Sequence, residues 1–359
     1  MRTLWMMTVL GALALTAFGA EASAQFDAPD VASPDARDLF DRGIQLASEG
    51  DYDAAITEFQ KALLITSSFP AAQYNLAIAY ERTGNVEQAE AEYKRTLELE
   101  PKHALALYAL GSLKFKQKKY GEAAGYLEQA VEANPRSLEA YFALGTAHHN
   151  AGNLSAAKKA FNRAIEIDST YADALFELGD VEYEICDRSG AYETAILTLQ
   201  TALRRAPGSD KAYLAYFQLG KIYLKQDDAK KASEMFDRVI QLRPDLAEAY
   251  YMKGSALAKA NQNAEAIQAF RKATELKDPY GVAHYQLARI YQKLNSFESA
   301  LREYQAAAAD PGFSKRAQAN RAAQSIRDYL KKMESQQADQ EEEEEYDSVD
   351  DIPSSDFEP

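Results

Sequence analysis

Residues 107–135 read LYALGSLKFKQKKYGEAAGYLEQAVEANP, and residues 141–169, one register later, read YFALGTAHHNAGNLSAAKKAFNRAIEIDS. Laid over each other at a shift of 34, the two stretches align Leu110-Gly111 with Leu144-Gly145 and Ala123 with Ala157. Bulky Leu127 and Phe161 follow the alanines by four residues, one helical turn on the same face. Working outward, the small residue recurs as Gly43, Ala77, Gly111, Gly145, Gly179, Gly220, Gly254 and Ala288, at spacings of 34, 34, 34, 34, 41, 34 and 34. The alanine recurs as Ala55, Ala89, Ala123, Ala157, Ala195, Ala232, Ala266 and Ala300. The bulky partner recurs as Phe59, Tyr93, Leu127, Phe161, Leu199, Phe236, Phe270 and Tyr304. A fixed period of this length is the signature of a stacked-repeat architecture.

The pattern predicts two helices per repeat. Small residues let the pair cross closely, and the bulky ones fill the layer between neighbours. Between the helices, Gly50, Gly84, Gly152, Asp227, Asn261 and Asn295 share one position, all types that tolerate the left-handed conformation ending a helix. Lys118 departs from that rule in the third repeat, so a strained or altered turn is expected there. The phase slips once. Four extra residues lie around Ile185–Gly190 and three more near Pro207–Asp210, read as a loop insertion or as a break between five repeats and three.

This arrangement closely resembles the tetratricopeptide repeat family over residues 36–314. The resemblance implies an all-α, right-handed α-solenoid of about eight helix–turn–helix repeats: 36–69, 70–103, 104–137, 138–171, 172–212 with the insertion, 213–246, 247–280 and 281–314. Residues 315–335 read as a capping helix, with Ala319, Ala322, Ile326, Tyr329, Leu330 and Met333 as its apolar stripe. Residues 336–359, dominated by acids, read as a disordered tail.

Charge and cysteine content exclude several function classes. The chain has 359 residues with a formal charge of −15, and residues 334–359 hold 12 acids and no Lys or Arg. The body is close to neutral, which argues against a nucleic-acid partner. One cysteine, Cys186, leaves no disulfide framework and no thiolate zinc site. The run from Leu4 to Phe18, closed by Ala22-Ser23-Ala24, reads as a bacterial signal peptide over 1–24, with 25–35 as a leader linker. Export to the periplasm or medium follows, without stable membrane insertion after cleavage.

No phosphate loop, dinucleotide fingerprint, nucleophile elbow or HExxH occurs, so neither an enzyme nor a cofactor is expected. The adjacent His148 and His149 do not share a helical face, and His284 sits at a packing position; no metal site is read from them. What remains is binding. The resemblance implies a groove lined by the first helix of each pair. There Phe40, Tyr74, Tyr108, Phe142, Phe176, Phe217, Tyr251 and Tyr285 form an aromatic ladder at one repeat position. Glu139, Asp173, Glu177, Asp180 and Glu184 put acid on that face in repeats four and five. Lys221, Lys225, Lys259, Arg289 and Lys293 put base there in repeats six to eight. The family's clamp for acidic C-termini is not matched: Phe40, Ile44, Tyr74 and Ile78 stand where Lys or Asn is needed, and Asn75 alone fits. The expectation is a non-catalytic scaffold gripping an extended or helical segment of a protein or peptide. The alternatives are an assembly factor for a pilus, secretion or outer-membrane complex, and a regulatory subunit of an envelope enzyme.

Overall fold

The computed structural model describes residues 32–187 and 190–350. The signal-peptide segment and most of the leader linker lie outside the described residues. Among those described are seventeen helices and no strand, and the chain divides between Ser209 and Asp210 into two compact units.

The N-terminal unit contains five helix pairs. They are α1 (Pro34–Ser48) with α2 (Tyr52–Ile65), α3 (Pro70–Arg82) with α4 (Val86–Leu99), and α5 (Ala104–Lys116) with α6 (Tyr120–Ala133). Then come α7 (Leu138–Asn150) with α8 (Leu154–Ile167), and α9 (Ala172–Asp187) with α10 (Glu193–Arg205). The C-terminal unit contains α11 (Ala212–Lys225) with α12 (Ala229–Leu242), α13 (Ala247–Lys259) with α14 (Asn263–Leu276), α15 (Gly281–Lys293) with α16 (Phe297–Ala309), and finally α17 (Arg316–Asp350). Each unit is an α-solenoid: every helix packs on the helices before and after it, and consecutive first helices also meet, as α7 does α9 and α13 does α15.

The crossing inside each pair has the predicted chemistry. A Cβ added at Gly111 would lie 2.6 Å from Leu127 Cγ, and one at Gly145 would lie 2.6 Å from Phe161. The bulky partners are sealed: all eight, from Phe59 to Tyr304, are at most 3% exposed. The turn position is left-handed in every described case, with φ 80° at Gly84 and 57° at Asn295. In the seven repeats other than the fifth, the next residue donates its N–H back across the helix end, as Asn85 N does to Tyr80 O at 2.8 Å. Lys118 takes the same turn, at φ 61°, with Lys119 N bonded to Lys114 O at 2.9 Å. Its turn is therefore not reshaped; a lysine occupies a conformation that costs L-residues energy.

The insertion is not a loop. α9 has 16 residues where α7 has 13, so the additional residues go mostly into one more helical turn. Gly190, at φ 76°, takes the left-handed turn position four places late. Cys186 is buried in this added turn, and burial pushes its thiol up.

α17 covers the last pair as expected, burying Ala319, Ala323 and Ile326 and setting Tyr329 4.8 Å from the Phe297 ring. It does not stop at 335 but continues as helix through Asp350. Every residue from Lys331 to Glu341 is exposed, so this stretch owes its helix to the propensities of Ala, Gln, Lys and Glu and not to packing. Residues 351–359 lie outside the described residues.

Candidate functional site

The predicted binding face is the layer of first helices. Its aromatic ladder is inside that layer. Phe142, Phe176 and Tyr285 are buried, and Phe40, Tyr74, Tyr108, Phe217 and Tyr251 are half-buried. Each packs first against its own second helix: Phe40 lies 5.8 Å from Phe59, Tyr74 5.8 Å from Tyr93, and Phe217 5.6 Å from Phe236. A second ring closes several from the other side, contributed by the residue before the next first helix. Phe69 lies 5.0 Å from Phe40, His103 4.9 Å from Tyr74, Tyr171 5.3 Å from Phe142, and Tyr280 5.7 Å from Tyr251. These second rings stand 29 residues after the first, a regular spacing that the sequence contains and that separates packing rings from free ones.

Desolvation follows. Burial pushes the Tyr108 hydroxyl up to about 12 and raises Tyr74 further still. His103 caps α5, its Nδ1 accepting from Ala106 N at 3.1 Å, and burial lowers its pKa. A neutral histidine is needed for that acceptor role. His284 does more than pack: its Nδ1 lies 2.7 Å from Glu303 Oε2 on α16.

The charged positions behave differently along the chain. Lysines ending the first helices reach back one repeat to the preceding turn. Lys116 meets Glu81 at 2.6 Å, Lys259 meets Asp227 and donates to Leu224 O at 3.0 Å, and Lys293 donates to Asn261 Oδ1 at 3.0 Å. Cations at helix C-termini complement the helix dipole, so these are staples between repeats as well as surface charge. Lys225 and Arg289 are exposed, and Lys221 is half-buried.

In the N-terminal unit the acidic residues gather. Glu139 is exposed, while Asp173, Glu177, Asp180 and Glu184 are half-buried along α9. His149 of α7 faces three of them. Its Nε2 lies 3.4 Å from Glu184 Oε1 and its Nδ1 4.0 Å from Glu177 Oε2. Its neighbour His148 turns instead toward Glu128, at 3.4 Å. The signal was there: Glu177, Asp180 and Glu184 form a carboxylate stripe one repeat after His149.

Comparison with known proteins gives the same architecture. Family profiles described as tetratricopeptide repeat match residues 46–113, 108–172, 217–280 and 282–309, more than half of the chain. No curated protein matches. Among solved structures, YrrB, described as a TPR protein with an unusual peptide-binding site, is 25% identical, with a TM-score of 0.49 over 54% of this chain and 97% of its own. A tetratricopeptide repeat protein of Parabacteroides merdae is 17% identical, with a TM-score of 0.48 over 72% of this chain and 100% of its own. Pseudomonas aeruginosa pilF is 22% identical, with a TM-score of 0.47 over 60% of this chain and 95% of its own. The repeat profiles, the sealed glycine crossings and the left-handed turns together establish that the chain belongs to the tetratricopeptide repeat family.

Proposed function

We propose that the protein is a non-catalytic scaffold of the bacterial cell envelope that holds a segment of a protein partner along its first-helix layer. One observation carries this reading: acid on that layer is gathered on α9, at the end of the N-terminal unit, while the first helices of the C-terminal unit carry mostly base. The acidic α9 residues belong to the N-terminal unit, and Lys221, Lys225, Lys259, Arg289 and Lys293 belong to the C-terminal unit. Clustered charge of one sign on each stretch steers a partner and fixes its orientation. The aromatic ladder, three of its rings buried and five half-buried, stiffens the layer, and the side chains around it supply the contact. Export is supported by the apolar start closed at Ala24, and no described helix is long and apolar enough to cross a membrane.

The test is a crosslinking pulldown from the envelope fraction, run with the wild-type chain and with Lys221→Glu/Arg289→Glu. The scaffold reading expects a specific envelope protein captured by wild type and strongly depleted with the variant. Equal capture by both overturns the assignment of the face. Recovery of the protein in the cytoplasm overturns the location. A pilus, secretion or outer-membrane component among the captured proteins selects the assembly role; a cell-wall enzyme selects the regulatory one.

A further inference from the structure

Four side chains from two facing first helices converge in the N-terminal unit. Glu177, Asp180 and Glu184 stand at i, i+3 and i+7 of α9 and share a face. His149 projects onto that face from α7. One ligand atom from each of His149, Asp180 and Glu184 lies within 4.8 Å of the other two. The His149 side chain is only 7% exposed, and its buried Nδ1 makes no hydrogen bond. A polar ring nitrogen removed from water without a partner is costly unless something else engages the ring.

We infer that His149, Asp180 and Glu184 form a binding site for one divalent transition-metal ion of the zinc class, with Glu177 beside it. The geometry supports this first. Two ligand atoms about 2.0–2.1 Å from a common tetrahedral ion stand roughly 3.3–3.4 Å apart. His149 Nε2 and Glu184 Oε1 are 3.4 Å apart, long for a charge-assisted hydrogen bond and right for a shared ion. A rotamer change in Asp180 or Glu184, both half-buried, brings the third ligand in.

Ligand chemistry fixes the class of ion. One imidazole with carboxylates and no thiolate suits zinc and its first-row neighbours, whereas calcium and magnesium favour sites built of oxygen alone.

The repeat itself supplies a third argument. At the position of Glu184 five of the other first helices carry Arg82, Lys116, Lys225, Lys259 and Lys293, and two carry the uncharged Ser48 and Asn150. That position lies at a helix C-terminus, where cations are favourable and a carboxylate is not. In the fifth repeat alone the sign is reversed, and there the helix runs one turn further, placing Glu184 inside it. At the position of Asp180 the other repeats carry Ile44, Ile78, Ser112, Thr146, Lys221, Ser255 and Arg289, never an acid. A bound cation would join repeat four to repeat five, the last repeat of its unit, as Lys259 and Lys293 join repeats elsewhere.

The inference is independent of the partner-binding reading and is tested without a partner. The purified full chain, freed of metal by a chelator, is titrated with zinc chloride by calorimetry. It is titrated with cobalt chloride by visible absorption, and melted with and without zinc. The expected result is one ion per chain, intense low-coordinate cobalt absorption, and a melting temperature that rises with zinc. Asp180→Asn and Glu184→Gln, isosteric and partly exposed, should each weaken binding at least tenfold and remove the zinc-dependent rise. Both should melt close to wild type without metal. Absence of saturable binding overturns the site, as does weak six-coordinate cobalt absorption. Binding that survives in the double variant also overturns it and places the ion elsewhere, such as on the acidic residues of α17.

Discussion

Gly111 and Gly125 lie fourteen residues apart and have opposite value. A Cβ at Gly111 would meet Leu127 Cγ at 2.6 Å and the Ala123 carbonyl oxygen at 3.2 Å, so neither side chain nor backbone can yield freely. Gly111→Val should lower stability by about 1–3 kcal/mol through overpacking. Gly125, inside α6, has nothing within 4 Å of where its Cβ would be, so Gly125→Ala should raise stability by about 0.5–1 kcal/mol. Thermal melts that move in the same direction for both variants would contradict this packing register. Ser112, next to Gly111 on the first-helix face, is itself buried. Lys118 offers a second single-residue test. Its φ of 61° costs a non-glycine residue about 1–2 kcal/mol in the left-handed region, and Lys118→Gly should recover part of that in urea unfolding. Gly84→Ala, at φ 80° in the same turn, should lose a comparable amount. Both crossing glycines and turn residues were legible in the sequence because each answers a local steric demand repeated every 34 residues. Gly190 was not legible as a turn residue, because the added helical turn moves it out of register.

Between elements, α4 and α5 are joined by an ion pair that titrates. Glu90 accepts from Lys114 of α5 and from Lys94 one turn along α4, both at 2.7 Å, and the Lys114 side chain is 7% exposed. These two ammonium hydrogen bonds hold the Glu90 carboxyl down at about 2. A carboxylate lowered in the folded state stabilises it above the ordinary carboxylate pKa and loses that contribution as the proton is taken up. Stability measured by urea unfolding should therefore fall between about pH 5 and pH 2. Glu90→Gln should flatten that limb and, at neutral pH, cost about 1–2 kcal/mol by leaving Lys114 short of a partner. An unchanged acid limb in the variant would remove Glu90 as its source. The aromatic ladder shows what the sequence hides at this scale. One repeat position holds rings in all eight units, and both a free binding face and a packing layer produce that pattern. Only the second rings, Phe69, His103, Tyr171 and Tyr280, reveal that several are closed on both sides. The convergence of His149 with the α9 carboxylates was hidden for a related reason, since it needs the approach of two helices one repeat apart.

For the whole molecule, the sequence predicts a break between five repeats and three, and the chain divides there, at the second of its two insertions. Around Cys186 residues 185–187 continue α9 as helix, whereas the chain divides between Ser209 and Asp210. There the segment between α10 and α11 has six residues, 206–211, where the segment between α8 and α9 has four. A helical turn added to one element leaves the order of stacking intact, but extra residues between pairs shift where the next pair begins. In a solenoid, cooperativity passes from each repeat to its neighbour, so a chain of two compact units should unfold as two cooperative blocks. Denaturant unfolding followed by circular dichroism should show two transitions. The block with five repeats should have the larger dependence on denaturant, because it exposes more surface. Zinc, if bound by His149, Asp180 and Glu184, should shift only the transition of that block, since a ligand stabilises the unit that holds it. Removing Pro207–Ser209 restores the 34-residue spacing on that side and should draw the two transitions together. Removing residues 185–188, by contrast, should shorten α9 and leave two transitions. A single transition in the wild-type chain would show that coupling passes undiminished through residues 206–211, and the chain would then be one cooperative array of eight repeats.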